Sequence, residues 1–563
     1  MATATARVPV AVAPAGPPDR EDWHRAVMAV LPGLLAAIFL AALDQTVMSA
    51  SIKTIADDLG GLSVQAWVTT AFLITSTVTT PLYGKLSDVY GRRMMFTVAI
   101  TVFVVGSLAC TFATTIYQLA GFRAIQGLGA GGLLAVSSAI TADLVPPRER
   151  ARFQGYTLLA WLAASLIGPL VGGLFASTET LLGIDGWRWI FLFNVPVGAV
   201  ALAVVLRVLR TEGARKARRL DHWGAALITA TAVPLLLVAE QGHERGWTST
   251  SALTCYAVGG LGLVAFLVCE SRMGDDALIP LRLFRLPAFT LSVTITALFG
   301  AGMFGVISTI PLYLQVVHGL SPTASGLMML PMMGGTLVSV IVSGKVVKRG
   351  GGLRALPAVG AIATALGLIA CARLSIDTPV WVMALLMIAF GVGIGTSRSL
   401  NVTAQNAVPR ADLGVATSTT MFFREISGAV GVATYLSVLF ALLPGTLTAA
   451  VTRVAARPEV AALLGDPAVT GDPANRPFLT VLRGGREPLT DSSFLAAMDD
   501  RLARAFRLAF DDAAGHVFVV GAVLMCLAAV LALAMRPPDL SIVPAAQPAE
   551  YFGRHRAPDT EYE

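Results

Sequence analysis

Asp44, Arg123, Arg424 and Glu425 are ionisable residues set inside long apolar stretches of the chain. A charge at the centre of a membrane helix costs about 2.5–3.5 kcal/mol on insertion scales, so side chains placed there are candidates for ion or proton pathways. Asp44 lies five residues before the end of the stretch 26–49, and Arg123 six residues after the start of 117–143. At a rise of about 1.5 Å per residue both reach a similar depth below one membrane face, and they can meet if their helices are neighbours. A carboxylate in a cavity can exchange protons, while desolvation and a nearby guanidinium pull its proton affinity in opposite directions. A static structural ion pair is the alternative. Arg424 and Glu425 fall near the middle of 412–441. Adjacent helical residues diverge by about 100°, so one is expected to face the cavity and the other to pair with a neighbouring helix. Arg398, near the end of 379–404, is placed to reach the interface with its long stem.

A second group of residues carries backbone and latch chemistry. In GKLSDVYGRR (84–93), Gly84 permits close helix approach, Asp88 supplies a carboxylate, Gly91 permits a tight turn, and Arg92 and Arg93 hold the turn outside the apolar phase. Asp143 ends its stretch on the same side, which makes an Arg92–Asp143 bridge plausible. Arg123, Gly127 and Gly131 recur every four residues, so the arginine shares a helix face with a small-residue groove and is expected to point into the cavity. In ASLIGPLVGG (164–173), Gly168 and Gly172 form a small-xxx-small pattern around Pro169, with Gly173 beside them, and the proline is expected to bend the helix.

The elements that must position these residues follow from composition. Charged residues make up 13% of the 563, about half the share in a soluble chain, and mean hydropathy is +0.71. A water-soluble enzyme and a disordered scaffold are excluded. A bilayer core of about 30 Å needs roughly 20 apolar residues per helix. Stretches of that kind fall at 26–49, 66–84, 94–113, 117–143, 153–176, 187–208, 222–241, 251–270, 287–315, 324–346, 355–374, 379–404, 412–441 and 514–536. They predict an all-α polytopic membrane protein with fourteen spans. With the N-terminus inside, the short inner loops hold twenty Lys and Arg and the outer ones four, namely Lys53, Arg188, Arg245 and Arg373. The basic loops therefore belong in the cytoplasm, with both termini.

The similarity of LVPPRERARFQG (144–155) to AVPRADLG (407–414) suits two six-helix repeats with two helices inserted between them. The expected organisation is a tail (1–25), a bundle (26–208), a basic linker with the inserted pair (209–286), a second bundle (287–536) and a tail (537–563). The second bundle includes the polar outer segment 442–513, where Phe494, Leu495, Met498, Leu502, Phe506 and Phe510 recur at helical spacing. That stripe predicts an amphipathic helix on the outer membrane surface; a small self-packed cap is the alternative.

Several of these segments resemble known motifs. The 84–93 turn is similar to the signature loop of the major facilitator superfamily, and RAIQGLGAGG (123–132) resembles its span-4 motif. The 164–173 segment resembles its antiporter-type span-5 motif. LDQT (43–46) and FFREISGAVGVA (422–433) resemble motifs of the fourteen-span drug:proton antiporter family. The resemblance implies a major facilitator fold in a 6+2+6 arrangement and a gating role for Arg92–Asp143. Ser49 and Lys53 replace the usual Asn and Pro, Glu425 replaces Gln, and Ala164 replaces the first Gly of the span-5 motif.

The expected function is proton-coupled efflux of hydrophobic or amphipathic small molecules by a monomer in the cell membrane. Asp44 and Arg123 are the expected coupling pair, and the partners are the substrate, protons and the lipid bilayer. An exporter dedicated to one natural product or lipid-like metabolite remains open, as does a receptor using the 442–513 segment. No enzyme activity, cofactor, metal or nucleic-acid partner is expected: the chain has no GxxxxGK[ST] loop, no CxxC pair and no long Lys/Arg run, and its six histidines are dispersed.

Overall fold

The computed structural model describes residues 20–59, 66–145, 150–208, 221–320, 322–349, 352–409, 412–485 and 498–536. Both tails through residue 19 and from 537, the basic linker 209–219, and Phe494 with Leu495 lie outside the described residues, as do the side chains of Lys53, Arg150, Arg152, Pro169 and Glu240.

The described residues are almost entirely helical. In order come α1 (Arg20–Asp58), α2 (Ala66–Tyr90), α3 (Arg92–Thr111), α4 (Ile116–Leu144), α5 (Arg150–Ser177), α6 (Arg188–Val208), α7 (His222–Arg245) and α8 (Thr250–Met273). There follow α9 (Pro287–His318), the short α10 (Pro322–Leu327), α11 (Leu330–Lys348), α12 (Ala355–Cys371), α13 (Val380–Asn406) and α14 (Leu413–Ala455). The set ends with α15 (Pro458–Leu464), α16 (Pro467–Gly471), α17 (Arg476–Leu482) and α18 (Asp500–Ala534). A two-residue hairpin, β1 (Thr180–Leu181) with β2 (Ile184–Asp185), turns α5 into α6.

A helix stands at each of the fourteen apolar stretches, and twelve of them among the described residues are long and apolar enough to cross a membrane. The two that fall short are α2, whose run is diluted by threonines and by the polar turn that ends it, and the 17-residue α12. The outward faces carry exposed Leu170, Val200, Leu261, Val264 and Val523, as expected where the solvent is hydrocarbon.

The buried cores divide into two groups. Side chains of α1 to α6 build one pair of clusters, with Phe72, Phe96, Phe103, Leu133 and Phe191 at their centres. Side chains from α9 to α18 build another, around Tyr313, Phe390, Tyr435, Phe478 and Phe518. Helices α7 and α8 join neither core. Ile228 and Ala232 of α7 and Phe266 of α8 pack with Val78 of α2 and Phe422 of α14, so the inserted pair lies across the seam between the groups.

The segment 442–513 departs from the expected surface helix. Residues 442–455 extend α14, and 500–513 extend α18 away from the end of the bundle that carries the basic loops. Met498, Leu502, Phe506 and Phe510 are buried with Val451, Val454 and Phe478 rather than turned toward a membrane surface. The apolar stripe is covered by protein. The segment is a small helical cap whose core continues that of the second bundle.

Candidate functional site

Asp44 and Arg123 meet. Arg123 Nη1 lies 2.5 Å from Asp44 Oδ2, and the residues are 2% and 1% exposed. Helix α4 brings Arg123 to α1 because Gly127 and Gly131 let it press against α2. A Cβ at Gly127 would collide with Thr75 and the Phe72 carbonyl, and one at Gly131 with the Ser76 carbonyl and Thr79. The shared face therefore does not open Arg123 to a cavity as expected. The guanidinium stacks on the Phe72 ring, 4.2 Å from its centroid, inside the first bundle.

Sequence reasoning missed three partners. Gln126, one turn after Arg123, accepts from Arg123 Nη1 at 2.7 Å and donates to Asp44 Oδ1 at 2.8 Å. Asn194 of α6 donates to the same oxygen at 3.0 Å and to Ser107 of α3 at 3.0 Å. The Ser107 hydroxyl then donates to the Phe191 carbonyl at 3.0 Å. The carboxylate of Asp44 thus accepts from α4 twice and from α6 once. All three are neutral, and α3 and α4 carry other Ser, Thr and Gln side chains, so no sequence signal singled them out.

The span-5 motif packs on α1 just beyond Asp44. Thr46 Oγ1 donates to the Ala164 carbonyl at 3.0 Å, and Ser51 Oγ to the Gly172 carbonyl at 3.0 Å. A Cβ at Gly168 would collide with the Thr46 side chain. Gly168 and Gly172 face α1, whereas Gly173 is exposed with open space beside it. The helix continues through Pro169.

The 84–93 turn forms a charged cluster at the end of the bundle that carries the basic loops. Arg92 bridges two carboxylates, Asp88 at 2.6 Å and Asp143 at 2.8 Å, and also donates to Ser87 Oγ at 2.5 Å. Arg93 turns away and donates to the Leu206 carbonyl at the end of α6, at 2.8 Å. Gly91 has φ +93°, a conformation that L side chains rarely adopt. The cluster reaches across the seam. The Val415 N–H at the start of α14 donates to Asp88 Oδ2 at 3.1 Å. A side chain at Gly84 would strike Ser418, and one at Gly414 would strike Arg92 and Asp88. Burial pushes the Asp88 carboxyl up to about 6 against the lowering pull of Arg92 and the Val415 N–H. A second bridge ties the exit from α8 to the same region: Arg282 donates to both oxygens of Asp412, at 3.0 and 2.9 Å.

Arg424 and Glu425 correct the helical-wheel expectation. They pair with each other, Arg424 Nη2 lying 2.8 Å from Glu425 Oε1. The long arginine stem curls across the angle between adjacent positions, so neither charge needs another helix. Arg398 is within electrostatic reach of both. Of the aromatic and sulfur side chains of α9, Phe299, Met303 and Tyr313 are buried in the core, while Phe304 is exposed.

Known proteins place this geometry. The family model described as Major Facilitator Superfamily matches residues 34–432. The chain is 30% identical over 518 residues to the multidrug transporter protein MdtP of Bacillus subtilis, covering 91% of this chain and 93% of that one. It is 37% identical over 336 residues to a tetracycline resistance determinant of Streptomyces rimosus, covering 59% and 96%. The fold matches a structure of the proton:xylose symporter XylE with a TM-score of 0.56 at 13% identity, over 93% of this chain and 97% of that one. The chain belongs to the major facilitator superfamily and is a multi-pass membrane transporter with relatives of the multidrug-efflux type.

Proposed function

We propose that the protein is a proton-coupled antiporter that exports hydrophobic or amphipathic small molecules by alternating access. In this reading fourteen helices span the cell membrane in a 6+2+6 arrangement, and the basic end with both termini faces the cytoplasm, as the excess of Lys and Arg in its loops favours. The functional unit is the monomer. The observation that carries the reading is the buried carboxylate of Asp44, held by Arg123, Gln126 and Asn194 within an apolar bundle.

The chemistry is a competition. A proton and Arg123 both seek the Asp44 oxygens, and binding of one weakens the other's hold. Protonation frees the guanidinium from its charge partner and loosens α4 against α1 near the Gly168–Thr46 contact. At the basic end, Arg92 with Asp88 and Asp143 holds the turn against the start of α14. Release of that latch opens the cytoplasmic side. The names of the multidrug and tetracycline-resistance relatives favour the substrate class. Asp44→Asn is expected to abolish efflux driven by a proton gradient while the protein stays folded in the membrane, since Arg123 keeps its bond to Gln126. Full efflux with unchanged pH dependence in that variant contradicts the assignment.

A further inference from the structure

Apart from Asp44 and the latch, the protein buries another pair of carboxylates. Asp221 caps the start of α7, its Oδ1 accepting from the Gly224 N–H at 2.6 Å. Glu270 stands in the last turn of α8, its Oε2 accepting from the Ile279 N–H at 3.2 Å. Their remaining oxygens, Asp221 Oδ2 and Glu270 Oε1, are sealed from solvent and have no hydrogen-bond partner. The residues are 5% and 1% exposed. Both oxygens converge on the point where a Gly224 Cβ would stand, 2.8 Å from Glu270 Oε1 and nearer still to Asp221 Oδ2. The absence of a side chain at 224 lets the two acids face each other.

Among the described residues, the surroundings do not cancel this charge. Lys85 of α2, 1% exposed, is the cation whose field reaches Glu270. The Cys269 thiol lies 3.9 Å from Asp221 Oδ1, and Arg272 beyond it is exposed. Two carboxylates and one ammonium leave a negative charge that burial makes unfavourable. One proton removes it. Carried on either free oxygen, it ends the repulsion between like charges.

We propose that Asp221 and Glu270 form a proton-binding site within the inserted helix pair, holding one shared proton while the basic end is closed. Lys85 belongs to the same turn as Asp88, three residues away. Opening of the latch would withdraw that cation and admit water to the acids, and the proton would leave. The inserted pair then registers the state of the latch. This site goes beyond the antiport reading and does not depend on Asp44 carrying protons.

Infrared difference spectroscopy of the purified full-length protein, titrated across neutral pH, reads protonated carboxyls directly through their C=O stretch. The expected result is a protonated-carboxyl band at neutral pH that is lost in Glu270→Gln and in Asp221→Asn and kept in Asp44→Asn. Each amide still accepts the backbone bond its acid made, and the two variants give independent readings should one fail to fold. A band unchanged in a folded Glu270→Gln or Asp221→Asn variant, or no such band in the parent protein, overturns the proposal. Transport by Asp44→Asn does not bear on any of these outcomes.

Discussion

At Asp44, three donors from two helices converge on one carboxylate, and Gln126 is the piece that joins the acid to its cation. Gln126→Leu removes one acceptor from Arg123 and one donor from Asp44 without changing the charge count. Hydrogen bonds to charged groups contribute about 1.5–3 kcal/mol each, so the variant is expected to lose on the order of 3 kcal/mol or more. The loss should appear as a lowered thermal midpoint in detergent, larger than that of Ser107→Ala; equal midpoints for Gln126→Leu and the parent would contradict the role. Asp44 and Arg123 were legible in the sequence because an ionised group in an apolar run is costly and stands out. Gln126, Asn194 and Ser107 are neutral and cheaper to bury, so nothing in the sequence separated them from ordinary helix polarity. The Arg424–Glu425 pair was misjudged because a helical wheel treats side chains as rigid spokes, whereas an arginine stem can fold back on its neighbour.

The helices themselves were mostly readable, since a run of about 20 apolar residues has few alternatives. Their partners were harder to read. The Leu502–Phe506–Phe510 stripe signalled a buried face but not that α14 and the cap helices would cover it. The contact between α2 and α14 was equally hidden, because Asp88 and Val415 are separated by most of the chain. That contact sets a pH dependence. Burial beneath the start of α14 outweighs the pull of Arg92 and raises the Asp88 carboxyl to about 6. A carboxyl that holds its proton more tightly in the closed arrangement favours closure as pH falls through about 6, and the contribution is lost as pH rises above it. The displacement from a solvated carboxylate corresponds to on the order of 2–3 kcal/mol at full protonation. Spin-label distances between the basic ends of the two bundles should report a closed fraction that grows over that acid range, with the dependence flattened in Asp88→Asn. A closed fraction that falls on acidification would contradict this account of the latch.

At the scale of the molecule, the two bundles keep separate cores and meet along a seam that α7 and α8 cover from one side. Packed cores shift as units, so the seam is where the proposed alternating-access movement would occur. The polar centre at Asp44 belongs wholly to the first bundle, while the Asp88–Arg92–Asp143 cluster touches the second through Val415. In the proposed antiport mechanism, protonation of Asp44 would reach the second bundle through helix packing, along α4 and α2, rather than through a shared ion pair. The proposed antiport requires that a proton be coupled to a substrate across that seam. It is tested most directly in proteoliposomes holding the purified protein, a fluorescent amphipathic cation and an imposed pH gradient. The expected result is transport of the cation against the proton flow, ceasing when the gradient is collapsed and absent in Asp44→Asn. Transport at the same rate with and without the gradient would contradict it.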